Sequence, residues 1–78
     1  MLRLFAAARE AAGTGTEVVA GATVGEVLAA ARARHGETFA AVVAGSRVWV
    51  NGEPASECSS VGEHDEVAIL PPVSGGDG

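Results

Sequence analysis
Residues 65–76 read DEVAILPPVSGG, and Asp77 and Gly78 follow them in a chain of 78 residues. The stretch EVAIL predicts the last strand, with Val67 and Ile69 on one face and Ala68 and Leu70 on the other. Pro71 and Pro72 lack amide donors and fix φ. They therefore end the strand ladder and project the following residues away from the body as a stiff extended stem. Past Val73 and Ser74, Gly75 and Gly76 carry no side chains, so the main chain can pass through a channel too narrow for any Cβ. Such a tail suits delivery of a carboxylate into another protein's active site, whereas SGGDG alone also reads as a frayed end. These signals divide the chain into a domain at 1–73 and a flexible tail at 74–78.

Working back from that strand, residues 1–7, MLRLFAA, alternate as a strand. With Arg3 outside, Leu2 and Leu4 point inward and Phe5 shares the outer face with Arg3. GTGT at 13–16 reads as a turn and TEVVA as a second short strand, giving a hairpin with a longer loop. The segment ARE, with Arg9 and Glu10, is assigned no role beyond stabilising a turn. Thr23 and Glu26 have capping-box spacing, and Val24, Val27, Leu28 and Ala31 fall on one helical face. Arg32 and Arg34 favour the C-terminal end of the helix dipole and Gly36 fits a left-handed stop, so a helix is expected from Val24 to His35. ETFAAVVAG is ambiguous, with a further helical turn that would bring Phe39 and Val42 or Val43 into the core. SRVWVNGEPA reads as a strand with Val48 and Val50 inside and Arg47 and Trp49 outside. It ends at a type I′ turn on Asn51-Gly52, and Pro54 excludes a central strand beyond it. The order is strand, strand, helix, strand, short strand or turn, strand. The expected fold is α+β, a β-grasp, with a mixed sheet of four to five strands packed on one main helix. Parallel pairing of the first and last strands would bring Phe5 and Leu70 together on the uncovered face.

Composition narrows the function. A single domain of this length buries only roughly 60 to 65% of its unfolded surface, which argues against a deep enclosed active site. The net charge is −5, with five arginines and no lysine. A basic face for nucleic acid is therefore not expected, and an acidic surface serves either solubility or a basic protein partner. The lone Cys58 cannot form an internal disulfide, no apolar run reaches membrane-span length, and the start lacks a signal-peptide pattern. A cytoplasmic location is the expectation.

No self-contained catalytic constellation emerges. His35 and His64 lack partners at metal-ligand spacing, and His64 among Glu63, Asp65 and Glu66 reads as a solvated acidic loop, so no metal site is assigned. Cys58 has no cationic neighbour in sequence to favour its thiolate. There is no nucleotide-binding or nucleophile-elbow motif. What remains is the tail and an outer sheet face bearing Phe5 and Leu70. Trp49 would join them unless a loop buries it; together they have the composition of an interface hot spot.

The motifs LFAAAREAAG, TVGEVL, VNG and above all DEVAILPPVSGG resemble the MoaD family, the small sulfur-carrier subunit of molybdopterin synthase. This family is related to the thiamine carrier ThiS and distantly to ubiquitin. PPVSGG is more similar to the molybdopterin branch than to the thiamine branch. The resemblance implies that a MoeB-like E1 enzyme adenylates the terminal glycine carboxylate with ATP and magnesium. A sulfurtransferase then converts the adenylate to a thiocarboxylate, and the tail enters a MoaE-like large subunit in a heterotetramer. There the sulfur passes to cyclic pyranopterin monophosphate. The chain would be a carrier and not itself a catalyst, binding no cofactor of its own. Carried onto this sequence, Gly76 supplies the reacting carboxyl and Gly75 the narrow approach. Phe5, Trp49, Leu70, Pro71, Pro72, Val73 and Ser74 become the partner-binding residues.

One feature departs from the family, in which the double glycine is the C-terminus. Here Asp77 and Gly78 follow it, so Gly76 carries an amide where the chemistry needs a free carboxyl. A trimming protease, direct use of Gly78, or loss of sulfur carriage would each account for this. Asp77 weighs against the second, because its charged side chain would enter a channel built for glycine. Other readings are a carrier for a different thio-product, a ubiquitin-like modifier joined to lysines, and a non-reactive β-grasp binding module.

Overall fold
The computed structural model describes residues 1–71. Five strands, β1 (Leu2–Leu4), β2 (Thr16–Glu17), β3 (Arg47–Val50), β4 (Glu53–Pro54) and β5 (Val67–Leu70), form one mixed sheet in the order β2-β1-β5-β3-β4. The helices α1 (Ala6–Ala12), α2 (Val24–His35) and α3 (Glu37–Ala44) contribute to a single core. β1 and β5 are parallel, with Leu2 opposite Val67 and Leu4 opposite Ile69, while β5 and β3 are antiparallel. The strand whose C-terminal end leads into Pro71 is thus the centre of the sheet.

The main helix follows its sequence signals. Thr23 is extended (φ −134°, ψ 163°) and its hydroxyl accepts a hydrogen bond from the Glu26 amide at 3.2 Å, which satisfies one of the orphan donors of the first turn. The reciprocal half of the capping box lands elsewhere: the Glu26 carboxylate accepts from the Ala22 amide at 2.8 Å, one residue before the expected Thr23. Two further α2 amides, of Val24 and Gly25, donate to the carbonyls of Ser59 and Glu57, so the β4–β5 connection closes the helix start. Val24, Val27, Leu28 and Ala31 are buried. Gly36 stops the helix with φ 92° and ψ −165°, outside the left-handed helical basin expected for it, and its amide returns to the Arg32 carbonyl.

Two expectations are corrected. The segment assigned to a strand end, a turn and a loop is a helix, α1, because Ala6–Ala12 is mostly alanine, the strongest helix former. Gly13 (φ 78°, ψ 9°) ends it in the left-handed conformation, donating its amide to the Arg9 carbonyl. Ala8 of this helix is fully buried. Of TEVVA only Thr16 and Glu17 pair with β1; the chain then leaves the edge, exposing Val18 and packing Val19 against the core. The ambiguous segment is the separate helix α3, which buries Phe39 and Val43. The sheet is therefore covered by the main helix α2 together with the shorter helices α1 and α3.

A half-buried charged cluster ties α2 to the β2 edge. The His35 Nε2 atom lies 2.8 Å from Glu17 Oε2, and Arg34 reaches Glu17 Oε1 at 3.3 Å. The imidazole also packs on Phe39, with ring centroids 4.9 Å apart. Glu17 in effect anchors a two-residue strand that has little ladder of its own.

Candidate functional site
Strand register sorts the side chains into two layers. Leu2, Leu4, Val67 and Ile69 are buried beneath the helices. Arg3, Ala68 and Trp49 stand in line across β1, β5 and β3 on the other face, because Ala68 is the register partner of both Arg3 and Trp49. Phe5, Trp49, Gly52, Glu66, Ala68 and Leu70 enclose a shallow depression of about 310 Å³ on this face. Phe5, the extended residue before α1, is 40% exposed. Directly after it Ala6 adopts φ 50°, a left-handed turn that swings the helix toward the core while Phe5 stays with the sheet.

The structure thus brings Phe5, Trp49 and Leu70 together as the parity of their strands implied. Trp49, open between burial and exposure on sequence grounds, is half-buried and forms one wall. Pro71 is half-buried at the exit of β5. Pro72, Val73, Ser74, Gly75 and Gly76 lie outside the described residues, as do Asp77 and Gly78. Sequence reasoning overlooked Ala68, Glu66 and Gly52 as parts of this surface. The two-residue period of a strand held the signal for the first two, since positions 66, 68 and 70 share a face.

The turn at the rim is fixed by polar contacts. Asn51 (φ 52°) and Gly52 (φ 84°) both have positive φ, as a type I′ hairpin requires. The Asn51 amide nitrogen donates to Asp65 Oδ1 at 3.0 Å, and its Oδ1 accepts from the Glu66 amide at 2.9 Å. The Gly62 amide donates to Asp65 Oδ2 at 2.8 Å. These donors, the Asn51 side chain foremost and then the Gly62 amide, hold the Asp65 carboxyl below its ordinary range. The turn is thereby clamped to the start of β5, which sets Gly52 and Glu66 as fixed walls of the depression.

The face is open and largely apolar. It offers an apolar floor with an Arg3–Glu66 ion pair of 3.4 Å at its margin, and exposed pairs of this kind orient a partner more than they add stability. Cys58 and His64 are exposed on the β4–β5 connection, away from this floor. Among the described residues no three His, Cys, Asp or Glu side chains gather as a metal site, and no helix is long and apolar enough to cross a membrane.

Comparison with known proteins agrees with the fold. The crystal structure of SAMP1 from Haloferax volcanii is similar with a TM-score of 0.77 and 32% identity, over 94% of this chain and 93% of that one. The solution structure of the small archaeal modifier protein 1 from Methanosarcina acetivorans gives a TM-score of 0.85 at 26% identity, over 94% and 91%. A Pyrococcus furiosus protein described as a molybdopterin converting factor, subunit 1, gives 0.75 at 29% identity, over 92% and 94%. The model of the ThiS family matches residues 2–76, ending on the second glycine of the pair. The chain has the β-grasp fold of the ubiquitin-like sulfur carriers and modifiers, and it belongs to the ThiS family.

Proposed function
We propose that this chain is a cytoplasmic sulfur carrier that serves as the small subunit of molybdopterin synthase. The observation that carries the reading is the exit of the central strand, β5, at Pro71 beside an uncovered apolar depression, in a sequence that continues through Pro72 to Gly75-Gly76. The depression docks the body on a partner, and the chain beyond Pro71 delivers a C-terminal group. In this reading a protease first removes Asp77-Gly78, leaving Gly76 with a free carboxyl. A MoeB-like enzyme adenylates it using ATP and magnesium, which turns a poor leaving group into a good one. A sulfurtransferase replaces the adenylate with sulfur. A MoaE-like subunit, paired with this chain in a heterotetramer, receives the tail and holds the thiocarboxylate at the pyranopterin at high effective concentration. Phe5, Trp49 and Leu70 anchor the body, Pro71 to Ser74 line the approach, and the partners supply the catalytic groups. The resemblance to the Pyrococcus furiosus protein supports the molybdopterin assignment.

A second reading, a modifier joined to lysines of other proteins, is favoured by the likeness to SAMP1. Both readings need an activated Gly76. They part at the product: a modifier leaves denaturant-resistant conjugates on a gel, while a carrier leaves a thiocarboxylate. A carrier for another thio-product would co-purify with a different acceptor subunit.

Intact-protein mass spectrometry of the chain from its native host tests the proposal. A species lacking Asp77-Gly78, with sulfur in place of one terminal oxygen, is the expected result. Thiocarboxylate on an uncleaved Gly78 would overturn the trimming step. An untouched chain in the presence of active loading enzymes would overturn sulfur carriage in favour of a binding module.

A further inference from the structure
The uncovered sheet face carries two arginines, and the fold treats them differently. Arg3 lies opposite Ala68 and Arg47 opposite Leu70, and both Ala68 and Leu70 stand on that face. Arg3 is paired with Glu66 at 3.4 Å. Arg47 is exposed and has no ion pair among the described residues. The register of the sheet keeps the chain's own acids from it. Glu66 shares its face but sits at the far end of β5 from Leu70, roughly 13 Å along the strand at the usual rise per residue, and is already engaged by Arg3. Glu53 is the register partner of Val50, which packs against the core, so Glu53 falls on the helix side. Glu57 lies against Gly25 at the start of α2, again on the helix side.

Docking changes what this isolated cation requires. Directly opposed residues of an antiparallel pair have Cβ atoms about 5 Å apart, so Arg47 stands beside Leu70, and the next residue along β5 is Pro71, where the chain leaves the sheet. A partner that covers Leu70 and Trp49 and receives the chain beyond Pro71 therefore covers Arg47 as well. A guanidinium stripped of water without a counter-charge is strongly unfavourable, and its planar fork matches a carboxylate bidentately. The rest of this chain, with a net charge of −5, repels carboxylates. An acid facing Arg47 is thus accepted at one place and rejected at others, which fixes how the partner lies across the strands.

We propose that Arg47 orients the docked large subunit by taking one of that subunit's carboxylates beside the point where the tail leaves the sheet. The inference rests on the reading of this face as the docking surface and adds the chemistry of the surface opposite: an apolar side chain over Ala68 and, on the tail side of it, an aspartate or glutamate. Arg3, neutralised by Glu66, borders the contact without calling for a second acid. Phe5, Trp49 and Leu70 supply apolar area, and Arg47 supplies direction.

Calorimetric titration of the full-length chain against the MoaE-like large subunit of the same host tests this. Arg47→Gln should weaken binding about tenfold, and Arg47→Lys, which keeps the charge and loses the fork, about threefold. Arg9→Gln makes the same change in net charge on the exposed surface of α1 and should leave affinity unchanged. The aspartates and glutamates of the large subunit are then replaced one at a time by their amides. One of them should cost the wild type about tenfold and cost Arg47→Gln almost nothing, the coupling that a merely structural role for Arg47 would not produce. Thermal melts of each variant separate lost contact from lost fold, and Arg47→Lys carries the test if Arg47→Gln does not fold. Ala68→Phe distinguishes this proposal from the reading beneath it. No complex with the wild type, or full affinity in Ala68→Phe, sinks the docking reading and this inference with it. Binding lost in Ala68→Phe but kept in Arg47→Gln, or a loss in Arg47→Gln that couples to no acid of the large subunit, overturns the role of Arg47 alone.

Discussion

Ala68 of β5 lies directly opposite Trp49 of β3, and its single methyl group leaves the depression that Phe5, Trp49 and Leu70 wall. A larger residue fills that space without touching the core, because Val67 and Ile69 on either side point to the opposite face. Ala68→Phe should therefore keep stability within about 1 kcal/mol, since aromatics suit strands. It should weaken docking on the proposed large subunit at least about tenfold, as blocked hot spots do. Calorimetric titration of the variant and the wild type against that subunit, with thermal melts of each, checks both halves. Unchanged affinity would move the interface to another surface.

Thr23 caps α2 through its hydroxyl and the Glu26 amide. Thr23→Ala removes that acceptor and should cost about 1 kcal/mol, a fall in Tm of about 4–8 °C for a domain of this size. Thr23→Ser keeps the hydroxyl acceptor and should retain most of the stability. Glu26→Gln should cost less than Thr23→Ala, since an amide oxygen can still accept from Ala22. Thermal melts of the three variants give the order.

That cap shows how the sequence was legible where a signal was local and chemical. Val24 to His35 has an acceptor at its start, a buried stripe and a glycine at its end, and the helix spans those residues. The Asn51-Gly52 turn and the parity of Arg3, Phe5, Ala68 and Leu70 were equally readable, and they placed the depression. The helix α1 was obscured because Leu2–Leu4 alternate as a strand and alanine carries no strong preference for either face, so the strand pattern extended too far. The Gly13 stop, combined with the alanine content, was the overlooked cue. Val18 and Val19 looked like a strand by composition, yet pairing partners are set by tertiary structure, and the chain turns off the edge after Glu17.

Acid should act on the rim of the depression through Asp65. Its carboxyl is held below the ordinary value of 3.8 by the Asn51 side chain and the Gly62 amide. The folded state therefore prefers the ionised form. Its contribution is complete above the unfolded pKa and is lost as pH falls through the lower folded one. Asp65→Asn should be less stable than the wild type at neutral pH, with the gap closing below about pH 4. Urea midpoints collected from pH 7 to pH 2 test this, and a gap constant across that range would refute the linkage.

Gly21 and Gly45 should respond in opposite directions to the same substitution. A Cβ built on Gly21 would lie 2.8 Å from both the Val27 Cγ2 and the Val27 amide nitrogen. Val27 is buried in the core and its amide is part of α2, so neither atom can retreat without disturbing the helix start. Gly21→Ala should cost about 1–3 kcal/mol, as overpacking does. At Gly45 nothing lies within 4 Å of the added atom and φ is −100°, which alanine adopts without strain. Gly45→Ala should stabilise by about 0.4–1 kcal/mol by restricting the unfolded chain. Denaturant unfolding of the two variants beside the wild type reads both signs, and a loss of stability at Gly45 matching that at Gly21 would show that backbone freedom, not space, governs these positions.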